Sequence, residues 1–237
     1  MMLAAERRSG SIVGQGFDGE VVLLIHGLWM TGLEMHWLGS RLIRCGFKIR
    51  YFHYRSLSRS PRENARRLAD HIAGLGLDRL HLLAHSLGGI VVLHLFELGR
   101  ALPEGRVLLL GSPVLGSGVA RAMMAHTGLR SLLGRSGIDG LTQAAPEWHG
   151  ERDLGVIAGT MALGVGRLFG GLQGANDGTV SVCETRLHGA TDFVTLEVNH
   201  MGMLFSSGVA REACRFLHYG RFDRGVVKSQ SLDSVRK

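Results

Sequence analysis

Serine is a poor nucleophile at neutral pH, so a chain that uses one must hold the hydroxyl clear of its backbone and set a base beside it. Residues 79–93 have the form this requires. A short apolar run of strand type meets His85-Ser86-Leu87-Gly88-Gly89 and passes at once into a second apolar run of helical length. The expected geometry is strand, sharp turn, helix, with Ser86 at the turn. The small residues Ala84, Gly88 and Gly89 let helix and strand approach closely. Ser86 is therefore a candidate nucleophile for acyl transfer. A serine in this place is also a routine helix N-cap, and five residues alone do not separate the two readings. Ser112 and Ser117 lie in a loop after another apolar run, but neither is followed by such a turn.

The pattern small-x-Ser-x-Gly, with Ala84 replacing the first glycine of the commoner form, resembles the nucleophile elbow of the α/β-hydrolase superfamily. The likeness is greatest to its small bacterial lipase- and esterase-like members. It implies the chain order nucleophile, acid, base. The acid then falls on Asp177, in the turn Asn176-Asp177-Gly178-Thr179-Val180, and the base on His200, in the loop after the last β-rich run. It also implies that the main-chain N–H groups of Leu28 and Leu87 bind the oxyanion; Leu28 follows a strand ending in His26-Gly27. By themselves Asn-Asp-Gly and His-Gly are ordinary turns. His26 is expected to be structural, and His85 to point away from the nucleophile. Of the 12 histidines only His200 has the position the resemblance asks of a base.

These residues need a scaffold, and the order of elements supplies one. Residues 20–25 are a continuous β-branched and aliphatic run, as in a strand buried on both faces. Residues 32–45 have helical spacing, with Leu33, Trp37, Leu38, Leu42 and Ile43 near one face; 47–54 read as the next strand. Ser60-Pro61-Arg62-Glu63 is a capping box with proline at the first helical position, and it opens a helix leading into the strand before Ser86. Further strands are expected at 106–111, 154–160 and 191–198, and a last helix at about 209–219. Alternating strands and helices require a mostly parallel central sheet with helices on both faces, the α/β class. Residues 119–150 are too few for a large cap domain. The expected organisation is a single α/β-hydrolase domain over residues 1–222. Residues 1–10 are a loose N-terminal arm, Ser11 to Gly16 a short edge strand, and 223–237 a disordered basic tail.

Net charge of +7 with pI near 10 raises the question of polyanionic partners. The basic residues form no compact basic helix and no nucleic-acid motif, so nucleic acid is not expected. Weak contact with an anionic membrane surface stays open. Cys45, Cys183 and Cys214 have neither a disulfide framework nor a metal spacing, which fits a reducing compartment, and no secretory core follows the N-terminus. The expectation is a soluble cytoplasmic protein with no metal and no cofactor.

The expected function is serine hydrolysis of small-molecule carboxylic esters, of lipase or esterase type, through an acyl-enzyme on Ser86. Thioesterase, amidase or acyltransferase chemistry uses the same parts. A catalytically silent binding module is the reading from another class.

Overall fold

The computed structural model describes residues 19–223. The arm, the edge strand expected at Ser11 to Gly16 and the tail beyond Asp223 lie outside the described residues. Six strands form one sheet: β1 (Val21–Ile25), β2 (Lys48–Phe52), β3 (Leu80–His85), β4 (Val107–Leu110), β5 (Leu154–Gly159) and β6 (Asp192–Leu196). Their order is β2-β1-β3-β4-β5-β6 and every pairing is parallel. Parallel neighbours need crossovers, and helices supply them: α1 (His36–Arg44), α2 (Pro61–Leu75), α3 (Leu87–Glu97), α4 (Gly118–Ala125), α5 (Arg130–Leu141) and the short α6 (Gly166–Phe169); α7 (Ser207–Tyr219) follows the last strand.

The two-residue period of a strand divides the core between the two faces. In β1, Val22 and Leu24 pack with Leu38 and Leu42 of α1 and Phe216 of α7. Val21, Leu23 and Ile25 face the other way, onto Leu68 of α2 and Val91 of α3. Because α3 is apolar nearly all round, it is buried by the sheet beneath and by α2, α4 and α5 around it. The α2 boundaries follow from local chemistry. Ser60 Oγ accepts from Glu63 N–H, the Glu63 carboxylate accepts from Ser60 N–H, and Gly76 ends the helix at φ +60°.

The chain runs from β1 outward to β2, then returns past β1 to β3 and proceeds the other way. The order reverses between β1 and β3, and in such sheets the crevice outside the carboxyl ends at this point is where ligands bind. Ile25 and Ala84 are register partners there, so the residues following them, His26-Gly27-Leu28 and His85-Ser86-Leu87, emerge side by side.

Two expectations need correction. Leu33 and Ile43 are not on the buried face: a 3-10 turn (Leu33–Met35) precedes α1 and shifts the phase, so Met35, Leu38 and Leu42 are buried while Leu33 and Ile43 are exposed. The cysteines are not all unbridged. Cys45 and Cys214 form a disulfide across 169 residues, leaving Cys183 free. Cys45 caps the end of α1, and α7 packs beside α1 on the same face of the sheet, so the fold brings together two thiols that spacing cannot relate. The inference from the cysteines to a reducing compartment loses its basis. Among the described residues no helix is long and apolar enough to cross a membrane.

Candidate active site

Ser86 stands between β3 and α3 with φ +54° and ψ −123°. Among the described residues only Ser86 and Trp29 take positive φ without being glycine. Such backbone costs roughly 1–3 kcal/mol and persists where the surroundings over-determine it. Here Ser86 N–H donates to Leu110 O and Ser86 O accepts from Gly89 N–H. The Ser86 side chain does not cap α3, so the N-cap reading fails. The turn also needs Gly88: a Cβ there would lie 2.6 Å from the carbonyl oxygens of both Ile25 and His26. Ser112 is fully buried, and Ser117 Oγ accepts from Ala120 N–H as the α4 cap, so neither competes for the role.

The structure brings Asp177 and His200 together across 23 residues. The His200 Nδ1–H donates to Asp177 Oδ2 at 2.7 Å. Asp177 is 1% exposed, and its other oxygen, Oδ1, accepts from the N–H groups of Thr179 (2.9 Å) and Val180 (2.7 Å). Main chain adds a further tie, His200 N–H to Asp177 O at 2.9 Å. A carboxylate accepting at Nδ1 fixes the tautomer, so Nε2 keeps its lone pair and can take a proton.

The pair sits against the end of β4. Gly111 follows β4 with φ +55°, and a Cβ on it would lie 3.1 Å from His200 Nδ1 and 3.2 Å from Asp177 Oδ2. Leu110, the residue before it and the last of β4, carries the carbonyl that binds Ser86 N–H, so elbow and pair adjoin consecutive residues at the end of this strand. Ser86 Oγ is not hydrogen-bonded to His200 in this arrangement; uncomplexed sites commonly hold such contacts long.

Leu28 and Leu87 have main-chain N–H groups that donate to no acceptor among the described residues. The loop carrying Leu28 touches the elbow, since a Cβ at Gly27 would lie 3.0 Å from Ser86 Cβ. His26 shapes that loop. Its Nδ1 donates to Gly27 O, its ring stacks on Tyr54 at 4.3 Å, and Tyr54 OH donates to His26 O. Burial pushes its pKa down, so it is a neutral structural residue, as expected from its position.

A contribution that the sequence did not signal comes from His85. Its Nε2–H donates to His200 O at 3.1 Å, and the two rings lie 4.7 Å apart. Burial first, and the neighbouring His200 second, hold it well below the usual histidine pKa of 6.5. Its buried Nδ1 has no hydrogen-bond partner among the described residues. A histidine at the last position of a strand before an elbow is the pattern that could have revealed it. Among the described residues, no three metal-ligating side chains are grouped.

A parallel sheet with a strained serine at its reversal point, an acid–histidine pair beyond later strands and two free N–H groups defines the α/β-hydrolase class. A model of the alpha/beta hydrolase family matches residues 22–213, and the chain belongs to that family. RutD of Pantoea ananatis, named for carbamate hydrolysis, is 40% identical over 83 residues, a match spanning 33% of this chain and 29% of the relative. Among solved structures, the mature Bacillus licheniformis lipase BlEst2 aligns with a TM-score of 0.66 and 18% identity, covering 82% of this chain and 90% of that one. RedJ, a thioesterase of the prodiginine pathway in Streptomyces coelicolor, aligns at 0.57 and 13%, covering 93% and 97%. At these identities the likeness is one of fold.

Proposed function

We propose that the protein is a serine hydrolase that cleaves carboxylic esters of small-molecule substrates, with Ser86 as nucleophile, His200 as base and Asp177 as the residue that orients the base. Ser86 Oγ attacks the acyl carbon as its proton passes to His200 Nε2. The oxyanion that forms accepts from Leu28 and Leu87 N–H, each donor contributing about 2.7–4 kcal/mol. Collapse expels the alcohol, which takes the proton from His200, and leaves an acyl-enzyme. Water then attacks the acyl carbon as His200 takes its proton; the bond to Ser86 Oγ breaks, the acid leaves and His200 returns the proton to Ser86.

The observation that carries this reading is the 2.7 Å Asp177–His200 pair set against the strand end that also anchors the Ser86 elbow. Trp29, Leu163 and Met201, apolar and exposed in loops around these residues, favour an acyl group over a charged one. Met30, Met203 and Leu204 are core instead.

Treatment with a fluorophosphonate, followed by peptide mapping, should find the adduct on Ser86. Labelling elsewhere, or none in folded protein, would overturn the assignment and favour a silent binding module. A thioesterase, amidase or acyltransferase shares the machinery, and the RedJ likeness makes thioesters the first alternative to include. Relative kcat/KM over a panel of esters, thioesters, amides and carbamates ranks them.

A further inference from the structure

Charge is distributed unequally across the sheet. Residues 41–67, which build β2 and the start of α2, hold nine Lys and Arg against one carboxylate, Glu63; residues 139–197, which build β5 and β6, hold eight carboxylates against three arginines. The excess positive charge extends to the loop end of the sheet, where it meets exposed apolar side chains. Within the 55–59 loop, Arg55 and Leu57 are exposed and Arg59 half-buried; on α5, Arg130 and Leu132 are exposed; in the Leu28 loop, Trp29 is 48% exposed. None of the three arginines lies within ion-pair distance of a carboxylate among the described residues, although Arg59 is near enough to Glu63 to add to the Ser60 hydrogen bonds that hold its pKa down; Glu63 and Asp139 are both engaged by Arg135.

These three segments form one fixed rim. Trp29 Nε1 donates to Leu132 O at 2.7 Å, and Arg135 N–H donates to Leu57 O at 2.7 Å. Buried Asn64 Nδ2 donates to the carbonyls of both Arg55 and Arg59 at 3.4 Å. Ordering the backbone in this way leaves apolar tips exposed between cations, which folding alone does not favour.

We propose that this rim is a docking surface for an anionic phospholipid bilayer, with Arg55, Arg59 and Arg130 against headgroup phosphates and Trp29, Leu57 and Leu132 at the acyl boundary. A bilayer offers both halves of the match, anionic headgroups and, a few ångströms deeper, hydrocarbon. A nucleic-acid backbone offers only the first. The surface stands independently of the chemistry proposed at Ser86, and its test reads binding rather than turnover.

The full-length protein is sedimented with vesicles of phosphatidylglycerol and phosphatidylcholine, and with phosphatidylcholine alone. Binding should need the anionic lipid, weaken with salt, and shift tryptophan emission to the blue. Cations outside the rim contribute to any such attraction, so the comparison between variants decides. Losing about 1 kcal/mol per arginine, the double variant Arg55→Gln/Arg59→Gln should bind roughly thirtyfold more weakly. Arg121→Gln/Arg186→Gln, with the same charge loss elsewhere on the surface, should bind nearly as the wild type does. Leu57→Gln/Leu132→Gln should lose the emission shift and the binding that resists salt. No retention by anionic vesicles, equal losses in both arginine pairs, or unchanged binding in the leucine pair would each overturn the proposal. Preference for duplex DNA over vesicles would overturn it in favour of a nucleic-acid partner.

Discussion

The strand-end cluster and the rim above it lie within contact of each other yet are built on opposite terms. Asp177, His85 and His200 are buried and bonded from several sides, and Ser86 is fixed by its backbone. At the rim the main chain is the tied part, and the side chains of Trp29, Leu57 and Leu132 are exposed. Helix α5 joins the two: Cβ atoms at Gly137 and Gly140 would lie 3.4 Å from Leu28 and 3.1 Å from Leu87 side-chain carbons. The contrast teaches that the groups proposed to react are positioned by burial, whereas the surface proposed to meet a bilayer is positioned through its backbone and keeps its side chains exposed.

The sharpest way to break this contrast is to remove the proposed nucleophile. Ser86→Ala should lower kcat for p-nitrophenyl esters by about 10⁴-fold or more with little change in Tm, because its hydroxyl bonds to nothing among the described residues. Retained turnover would show that the cluster is structural only.

Stability should be separable from chemistry on the far face of the sheet. Cys45→Ser should cost about 2–4 kcal/mol, read by urea unfolding, while kcat changes little. An equal midpoint in both proteins would mean the bridge contributes nothing.

Gly111→Ala tests burial itself. Its φ of +55° and its 3.1 Å clearance to His200 Nδ1 should together cost about 1–3 kcal/mol, and turnover should fall in parallel because the pair must shift. A variant with wild-type kcat would show that the pair tolerates displacement.

The cluster should also be the acid-sensitive region. Burial depresses the pKa of His26 and His85 in the folded protein below 6.5, so between those depressed values and 6.5 the unfolded chain binds more protons. Their contribution is complete above 6.5 and lost as pH falls, so Tm should drop from pH 7 to pH 5. His85→Gln should flatten that slope.

The smallest effect belongs to the rim. Leu57→Gln should leave stability within about 0.5 kcal/mol and the turnover of a water-soluble ester unchanged, since an exposed side chain is replaced and its bonded carbonyl is kept. A large loss would place Leu57 in the core of the site after all.

Legibility in the sequence followed the range of the interactions. The α2 cap, the buried run of β3, the elbow at Ser86 and the apolar α3 depend on neighbours within a few residues and appear where their patterns put them. The family pattern pointed to Asp177 and His200, and the structure pairs them, yet nothing in the residues between these positions, 23 apart, states a distance. For His85 the sequence suggests only a side chain pointing away from Ser86, because its partner is a main-chain carbonyl 115 positions away.

Alternation of apolar strands with amphipathic helices, and a serine followed by two glycines, determined the sheet class and the strained turn, because backbone geometry and side-chain period are local properties. Which thiols meet, which leucines of α1 are covered, and which arginines share a surface with Trp29 were settled only by packing. Those contacts join residues far apart in the chain, and their free energy exists only once the sheet has brought its layers together.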